Sequence, residues 1–584
     1  MRRAKIVCTL GPASNDRGTI RELAEAGMAV ARLNASHGTP EDRAEVIQRI
    51  HAVDDAIDDP LSSMLDLQGP EVRTAPIDEP IELDTDSTVR FVEGDTATPE
   101  EIGLSYSIDA ASPGDQVLLD DGRIETRVES VSDGVVTARV VSGGELGSRK
   151  GVNTPGVDLD LDVVTESDRR DIEVAVENEA DFVAASFVRD ADDVYAVTDA
   201  IENAGGDIPV VSKIERAGAV DNIDDIVAAS YGVMVARGDL GVECPLEQVP
   251  MVQKRIIHSA QDAGVPVITA TEMLDSMVSS RRPTRAEASD VANAVLDGTD
   301  AVMLSGETAI GDHPVRVVET MDRIVREVES SGEYAETQEE RVPKAAEGSQ
   351  TEALARAARY LARDLGASAI VAVSESGYTA RAAAKFRPRV PIVATTPRDH
   401  VRRQLALSWG VDAQYAAYRE DIDRMIDAAV DAAIDAGVAE SGDTVVVLSG
   451  MMTELEGTNT TNMLKVHVAS ETVATGRNVV SGWVSGPVFR CPDGDLTDAP
   501  SGAIVALPST FDGEFTGDTG RIGGIIDARP GMTSYAALVA REQGVPMISG
   551  APLPDDVADG TTVTVYADRG VVYEGDVTPR EHPR

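Results

Sequence analysis

The sequence predicts an α/β protein: a (β/α)8 TIM barrel with an inserted β-barrel lid, followed by an open α/β domain and a fourth, Gly- and Pro-rich unit. Three observations predict this. Over the first 330 residues, short β-branched apolar runs alternate with amphipathic stretches, the pattern of a parallel sheet covered by helices on both faces. Eight such runs occur, the number that closes a barrel. One connection, after the third run, lacks its helix. The length of 584 residues agrees with about four domains.

The eight runs are "KIVCTLG", "AVARLNAS", "SSMLDLQG", "FVAASFV", "PVVSKIE", "GVMVARGD", "PVITATE" and "AVMLSGET". Helical patterns lie between them, at 39–57, 166–180, 245–263 and 284–298. After "DLQGPEVRT", residues 74–156 read instead as short strands and turns, which places a lid over the active face of a barrel formed by 1–73 and 157–335. Residues 331–350, "SGEYAETQEERVPKAAEGSQ", have linker composition. A helix at 351–365, the strand "AIVAVS", a helix at 378–386 and the strands "PIVATT" and "TVVVLSG" then build an α/β domain over 350–473. The last unit spans 476–584.

Charge narrows the function. The chain has 52 Lys+Arg against 101 Asp+Glu, a net charge of -49, which repels nucleic acid and anionic membranes and keeps the surface hydrated. The acids are spread along the whole chain, so a halophile's cytoplasmic protein is expected rather than an acidic tail. The 42% hydrophobic content suffices for real cores. Cys8, Cys244 and Cys491 have neither metal-ligand nor disulfide spacing. Arg2-Arg3 does not begin a twin-arginine signal, because the apolar run behind it breaks at "GPASND", and no run approaches a membrane span.

Polar residues gather where a barrel places its reactive groups, at the C-terminal ends of strands. They are Arg32, Asn34 and Ser36 on the second strand, Asp66 on the third, Lys213 and Glu215 on the fifth, and Arg237 and Asp239 on the sixth. Thr271 follows on the seventh, and Ser305 and Glu307 on the eighth. The strand period of two puts Lys213 and Glu215 on one side, and likewise Arg237 and Asp239. Rim ion pairs explain any one such pair, but poorly explain six strands ending this way. Glu215 and Asp239 are hard oxygen ligands suited to Mg²⁺. Arg32, Arg73 and Lys213 can clamp a phosphoryl group. Asn34, Ser36 and Asp66 suit a hard cation. No nucleophile–base pair stands out, and phosphoryl transfer needs none.

These residues lie in motifs that resemble pyruvate kinases: "CTLGPAS", "ARLNASHG", "LDLQGPEVRT", "SRKGVNTPG", "SKIE", "MVARGDLG", "TATEMLDSM" and "RRPTRAEASDVANAVLDGTDAVMLSGETA", in family order from residue 3 to about 473. The resemblance implies transfer of the phosphoryl group of phosphoenolpyruvate to ADP, giving pyruvate and ATP, with Mg²⁺ and K⁺ as cofactors. It implies that Glu215 and Asp239 hold Mg²⁺, that Arg32 and Lys213 contact the phosphoryl group, and that the Gly238 and Asp239 amides hold the substrate carboxylate. Arg73 and Lys150 would hold the nucleotide phosphates, with Asn34 and His37 beside them. Asn34, Ser36, Asp66 and the Leu67 carbonyl would bind K⁺. Thr271 would lie on the water-mediated proton path to the enolate carbon. A homotetramer is also implied.

Lysine occurs at only seven positions, 5, 150, 213, 254, 344, 385 and 465. A compact ammonium at 213 can follow a moving phosphoryl group where a planar guanidinium fits poorly. The sequence departs from the family at Leu67-Gln68, where Thr-Lys is usual, and at Glu272, where glutamine is common. Glu71 stands where K⁺-independent relatives carry lysine. His37 either touches the nucleotide or caps the following helix.

"SESGYTA" at 374–380, with "GTNTTN" at 457–462, resembles the family's sugar-phosphate effector pocket. Ser374, Ser376, Gly377 and Thr379 would hold a sugar-phosphate or nucleotide effector; the plainer reading is a helix cap and a turn. Residues 522–550 resemble the swivelling phosphohistidine domain of phosphoenolpyruvate-utilising enzymes, with Tyr535 where that motif has histidine. Two other functions fit parts of the chain. A Mg²⁺-dependent barrel lyase or aldolase would use Glu215 and Asp239 but needs no nucleotide lid, and a phosphocarrier would need the missing histidine.

Overall fold

The structure is a computed structural model, and it describes residues 2–419, 421–440, 442–450, 461–470 and 472–577. The chain forms two compact units. The first comprises the residues up to Ala355 together with Ser374–Arg387 and Thr396–Tyr415; the second comprises Arg356–Val373, Pro388–Thr395 and the described residues from Ala416 onward.

Eight parallel strands close the barrel of the first unit: β1 (Lys5–Leu10), β2 (Val30–Asn34), β3 (Ser62–Asp66), β4 (Phe182–Ala185), β5 (Val210–Ile214), β6 (Gly232–Ala236), β7 (Val267–Ala270) and β8 (Ala301–Leu304). Neighbours run in sequence order, and β8 pairs with β1 through Lys5↔Ala301 to Cys8↔Leu304. Every residue of β3, β4, β6, β7 and β8 is buried. This is why these runs read as continuous rather than alternating. Alternate residues divide between two cores. Met234 faces the barrel interior with Val30, Met64, Phe182 and Val211, while Val233 and Val235 pack outward among the helices.

Local chemistry sets the helix limits. Thr39, Thr165 and Thr284 each open a helix through a capping box, with Asp42, Asp168 and Glu287 at the third helical position. The helices Val249–Ala263 and Arg285–Asp297 end at Gly264 and Gly298, whose φ values of 75° and 100° favour glycine. Between Asp66 and the helix Glu166–Glu177 there is no helix. The insertion instead forms a six-stranded sheet over its own core of Val89, Phe91, Ile102, Val117, Val128 and Val136. Its hairpin of Ile124–Ser132 and Val135–Ser142 turns at Asp133-Gly134, with φ 52° and 78°, the signature of a type I′ turn.

Two expectations need correction. The stretch 331–350 is not all linker: Gly332–Glu340 is a helix, capped by Ser331 and anchored by buried Tyr334, whose hydroxyl accepts from Trp409 Nε1 at 3.2 Å. Strand β6 stops at Ala236, and Arg237–Glu243 is helical, so Arg237 and Asp239 do not share a strand face.

In the second unit, strands Ala369–Val373, Ile392–Thr396 and Thr444–Ser449 are parallel, with Met463–Val468 antiparallel at the edge. Residues 472–574 form a separate eight-stranded sheet carrying the helix Tyr535–Gln543. Among the described residues, no helix is long and apolar enough to cross a membrane.

Candidate active site

The polar site continues the barrel's own periodicity. Val7, Val30, Met64, Ala184 and Val211 belong to the interior cluster. Two residues further along each strand, on the same side of the pleat, stand Thr9, Arg32, Asp66, Ser186 and Lys213. The interior is therefore apolar below and polar at its C-terminal mouth. The polar groups pair with one another. Arg32 donates from Nε to Asp66 Oδ2 at 2.6 Å and from Nη1 to Thr9 Oγ1 at 2.9 Å. Lys213 Nζ donates to Ser186 Oγ at 2.7 Å and lies 2.8 Å from Glu215 Oε1. Thr9 and Ser186 were not singled out from the sequence, although both occupy C-terminal positions of barrel strands, which is the signal that finds them.

Burial and charge oppose each other here. Burial alone would lower the Lys213 pKa, but Asp66 and Glu215 outweigh it and hold the ammonium well above its ordinary value. Burial pushes Asp66 upward, but Arg32 and Lys213 bring it below the usual carboxylate range. Glu215 is pushed up to about 7 by burial, with Lys213 opposing and Asp239 adding to the rise. Burial also raises Asp239. Burial thus makes each of these two carboxylates costly to charge, a cost that a further cation beside them would relieve. The Phe187 amide donates to Glu215 Oε2 at 2.7 Å, which fixes the carboxylate plane. Among the described residues, no three His, Cys, Asp or Glu side chains gather to hold a metal ion. A cation on Glu215 and Asp239 would take its remaining oxygens from substrate or water.

The second cation set is also close-knit. Asp66 Oδ1 is buried, accepts no well-aligned hydrogen bond, and lies 3.2 Å from the Lys213 ammonium. Asn34 Oδ1 accepts from the Ser36 amide at 3.1 Å, and the Leu67 carbonyl accepts from Ser186 Oγ at 2.7 Å. These are neutral and anionic oxygens with lone pairs to spare, and they fit a hard monovalent ion. Beside them, Arg32, Asn34, His37, Arg43 and Ser305 help line a cavity of about 930 Å³, within the range of small-molecule sites. His37 is exposed and does not cap the helix Pro40–Asp54; Thr39 does.

Arg73 and Lys150 meet at the root of the lid. Arg73 bridges to Gly151, the Thr74 amide donates to the Lys150 carbonyl at 2.8 Å, and Arg73 Nη1 donates to the Arg149 carbonyl at 3.0 Å. Both cations already have carboxylate partners: Glu71 Oε2 accepts from Arg73 at 2.7 Å, and Asp120 Oδ1 lies 2.8 Å from Lys150 Nζ. Gly238 and Asp239 occupy the first turn of the helix Arg237–Glu243, which has no side-chain cap from Ala236. Thr271 follows β7 with φ 76° and Glu272 with φ 53°, a left-handed pair beside the site. Arg237, grouped with the cations at the strand ends, pairs with Asp290 at 2.7 Å and donates to the Ala270 and Thr271 carbonyls, each at 2.9 Å. Glu307 accepts from the Leu274 and Ser305 amides, so it braces the backbone there.

Away from the barrel mouth, Gly377 (φ 76°) opens the helix Tyr378–Lys385 without a side-chain cap, Ser374 and Thr379 are buried, and Ser376 is exposed. The Thr379 amide donates to Ser374 Oγ at 3.4 Å, and Glu375 pairs with Arg398. Of "GTNTTN", residues 457–460 lie outside the described residues. In the last sheet, Ser534 caps the helix Tyr535–Gln543, and the Tyr535 ring packs 6.1 Å from that of Phe515.

Fold and site together define a (β/α)8-barrel protein with a β-sheet insertion after its third strand and a mouth of interlocked cations and carboxylates. The chain belongs to the pyruvate kinase family. Residues 1–318 match the pyruvate kinase barrel domain, 352–467 the pyruvate kinase alpha/beta domain, and 499–570 the mobile domain of PEP-utilising enzymes. The chain is 41% identical to the pyruvate kinase of Geobacillus stearothermophilus, over 98% of this chain and 99% of that protein. It is 40% identical to the pyruvate kinase of Staphylococcus aureus (strain MRSA252), with the same shares covered.

Proposed function

We propose that the chain transfers the phosphoryl group of phosphoenolpyruvate to ADP, giving pyruvate and ATP. The observation that carries this reading is the buried chain Arg32–Asp66–Lys213–Glu215 at the barrel mouth, in a protein of this family. Glu215 and Asp239 would hold Mg²⁺, which supplies charge neutralisation and orientation of substrate oxygens. Asn34, Ser36, Asp66 and the Leu67 carbonyl would hold K⁺, which supplies one further positive charge near the phosphoryl group.

The protein's own groups do the rest by position. Arg32, oriented by Asp66 and Thr9, and Lys213, oriented by Glu215 and Ser186, bind the phosphoryl oxygens. As the bond to the enolate oxygen breaks, the Lys213 ammonium moves with the developing charge, which a fixed guanidinium does poorly. The Gly238 and Asp239 amides hold the carboxylate. Arg73 and Lys150 receive the nucleotide phosphates, with Asn34 and His37 beside the nucleotide. Thr271 lies on the path by which water delivers a proton to the enolate carbon. A lyase would leave Arg73, Lys150 and the lid without work.

The same reading takes the protein as a cytoplasmic, halophilic homotetramer with a barrel at 1–73 and 157–335, a lid at 74–156, an effector domain at 350–473 and an extra domain from 476. Ser374, Ser376, Gly377 and Thr379 would receive a sugar-phosphate or nucleotide effector at the start of the helix Tyr378–Lys385. ATP formation in a coupled assay with phosphoenolpyruvate, ADP, Mg²⁺ and K⁺ tests the activity, and its absence overturns the reading.

A further inference from the structure

Thr271 is held from two sides by neighbours in the sequence segment Arg237-Gly238. On one side, Arg237, itself braced by Asp290, donates to the Ala270 and Thr271 carbonyls. This clamps a β-branched residue at φ 76°, a strained conformation that persists only where its surroundings impose it. On the other side is Gly238. A Cβ built there would lie 2.9 Å from Thr271 Cγ2 but 3.7 Å from Thr271 Oγ1. Gly238 lies within a helix and is not among the glycines at positive φ. Its backbone therefore accepts any residue, and alanine there would favour the helix. What the position does not accept is volume, because the Thr271 methyl already occupies it.

We propose that Gly238 is a positioning residue that sets the direction of the Thr271 hydroxyl. Methyl and hydroxyl share one χ1 torsion with a few staggered wells. A methyl at 238 drives Cγ2 out of its well, and Oγ1 swings with it. The inference rests on the proposed kinase reading, in which the Thr271 hydroxyl passes a proton toward C3 of the enolate: the hydroxyl gives one proton, takes one from water, and the enolate becomes pyruvate. Phosphoryl transfer precedes that step and does not need the hydroxyl. Displacing Thr271 should therefore slow protonation far more than substrate binding.

The test compares wild type, Gly238→Ala, Thr271→Ser and the double variant. Serine keeps the hydroxyl and removes the methyl that clashes. The readouts are exchange of pyruvate methyl protons for deuterium in D₂O with Mg²⁺, K⁺ and ATP, and KM for phosphoenolpyruvate. Gly238→Ala should lower exchange about tenfold or more with KM little changed, and adding Thr271→Ser should return exchange to the level of Thr271→Ser alone. Unchanged exchange in Gly238→Ala overturns the proposal. So does failure of the double variant to recover, or a loss carried by KM, which would mean that the alanine acts on the carboxylate-binding amides. A wild type without turnover would instead sink the kinase reading.

Discussion

The Lys213 ammonium lies 2.8 Å from Glu215 Oε1, with Lys213 only 12% and Glu215 only 2% exposed in their side chains. The ammonium also reaches Ser186 and Asp66, so three oxygens at or just beyond the ends of three strands hold one small cation in place. A guanidinium is wider and planar. Lys213→Arg should keep substrate binding and lose nearly all turnover, since contacts made in the transition state are lost from kcat rather than KM. Steady-state kinetics check this; a variant with a tenth of wild-type kcat would contradict it.

Potassium should be required. Glu71 is committed to Arg73 and brings no positive charge to the site, while Asp66 Oδ1 is buried, accepts no well-aligned hydrogen bond and faces the Lys213 ammonium at 3.2 Å. Activity in KCl should greatly exceed activity in tetramethylammonium chloride at equal ionic strength. Equal rates would remove K⁺ from the account.

Salt should stabilise the fold. At a net charge of -49 the compact state repels itself, and molar salt, with a Debye length of about 3 Å, screens much of that cost. The melting temperature should rise from dilute buffer to molar KCl. A flat profile would refute the halophilic reading.

Lys5 supplies a pH test remote from the catalytic mouth. It is buried at the start of β1, donates to the Val411 carbonyl at 2.6 Å, and is lowered to about 8 by burial, against Asp412. Below pH 8 both folded and unfolded states carry the charge, and the burial cost is fully present. Between about pH 8 and the unfolded value near 10.5 the unfolded state binds more protons, so stability rises with pH. Relative to Lys5→Met, wild type should gain about 2.5 kcal/mol from pH 7 to pH 10. Paired melting curves check this, and a constant difference between the two proteins would contradict it.

The last domain should not carry phosphate. Tyr535, a phenol, stands where the swivelling-domain motif has its imidazole nucleophile, and its ring packs against that of Phe515. Incubation with labelled phosphoenolpyruvate should leave the segment from residue 476 onward unlabelled on alkaline gels, and Tyr535→Phe should retain turnover. A stable label there, or collapse of turnover, would overturn this.

The barrel, its lid and the cluster of Arg32, Asp66, Lys213 and Glu215 were legible because a strand's period of two carries interior positions directly into the mouth. Arg237 shows the limit of that rule. Where β6 gives way to a helix at Arg237 the period changes, and the side chain turns to Asp290 and the Thr271 loop. Thr9 and Ser186 matter through partners on other strands, which a sequence does not display. The helix Gly332–Glu340 hid in a linker-like composition because Tyr334 gains its burial only from tertiary packing. Scarcity of lysine is a weak guide: Lys385 is more buried than Lys213, yet pairs with Glu352 in a structural contact at 2.7 Å.

The proposed activity moves one phosphorus atom from phosphoenolpyruvate to ADP. In ³¹P NMR of wild-type protein with phosphoenolpyruvate, ADP, Mg²⁺ and K⁺, the phosphoenolpyruvate resonance should fall as the γ-phosphate of ATP rises one for one, and Glu215→Gln should abolish both changes. Phosphorus appearing as inorganic phosphate, or conversion undiminished in Glu215→Gln, would contradict the account.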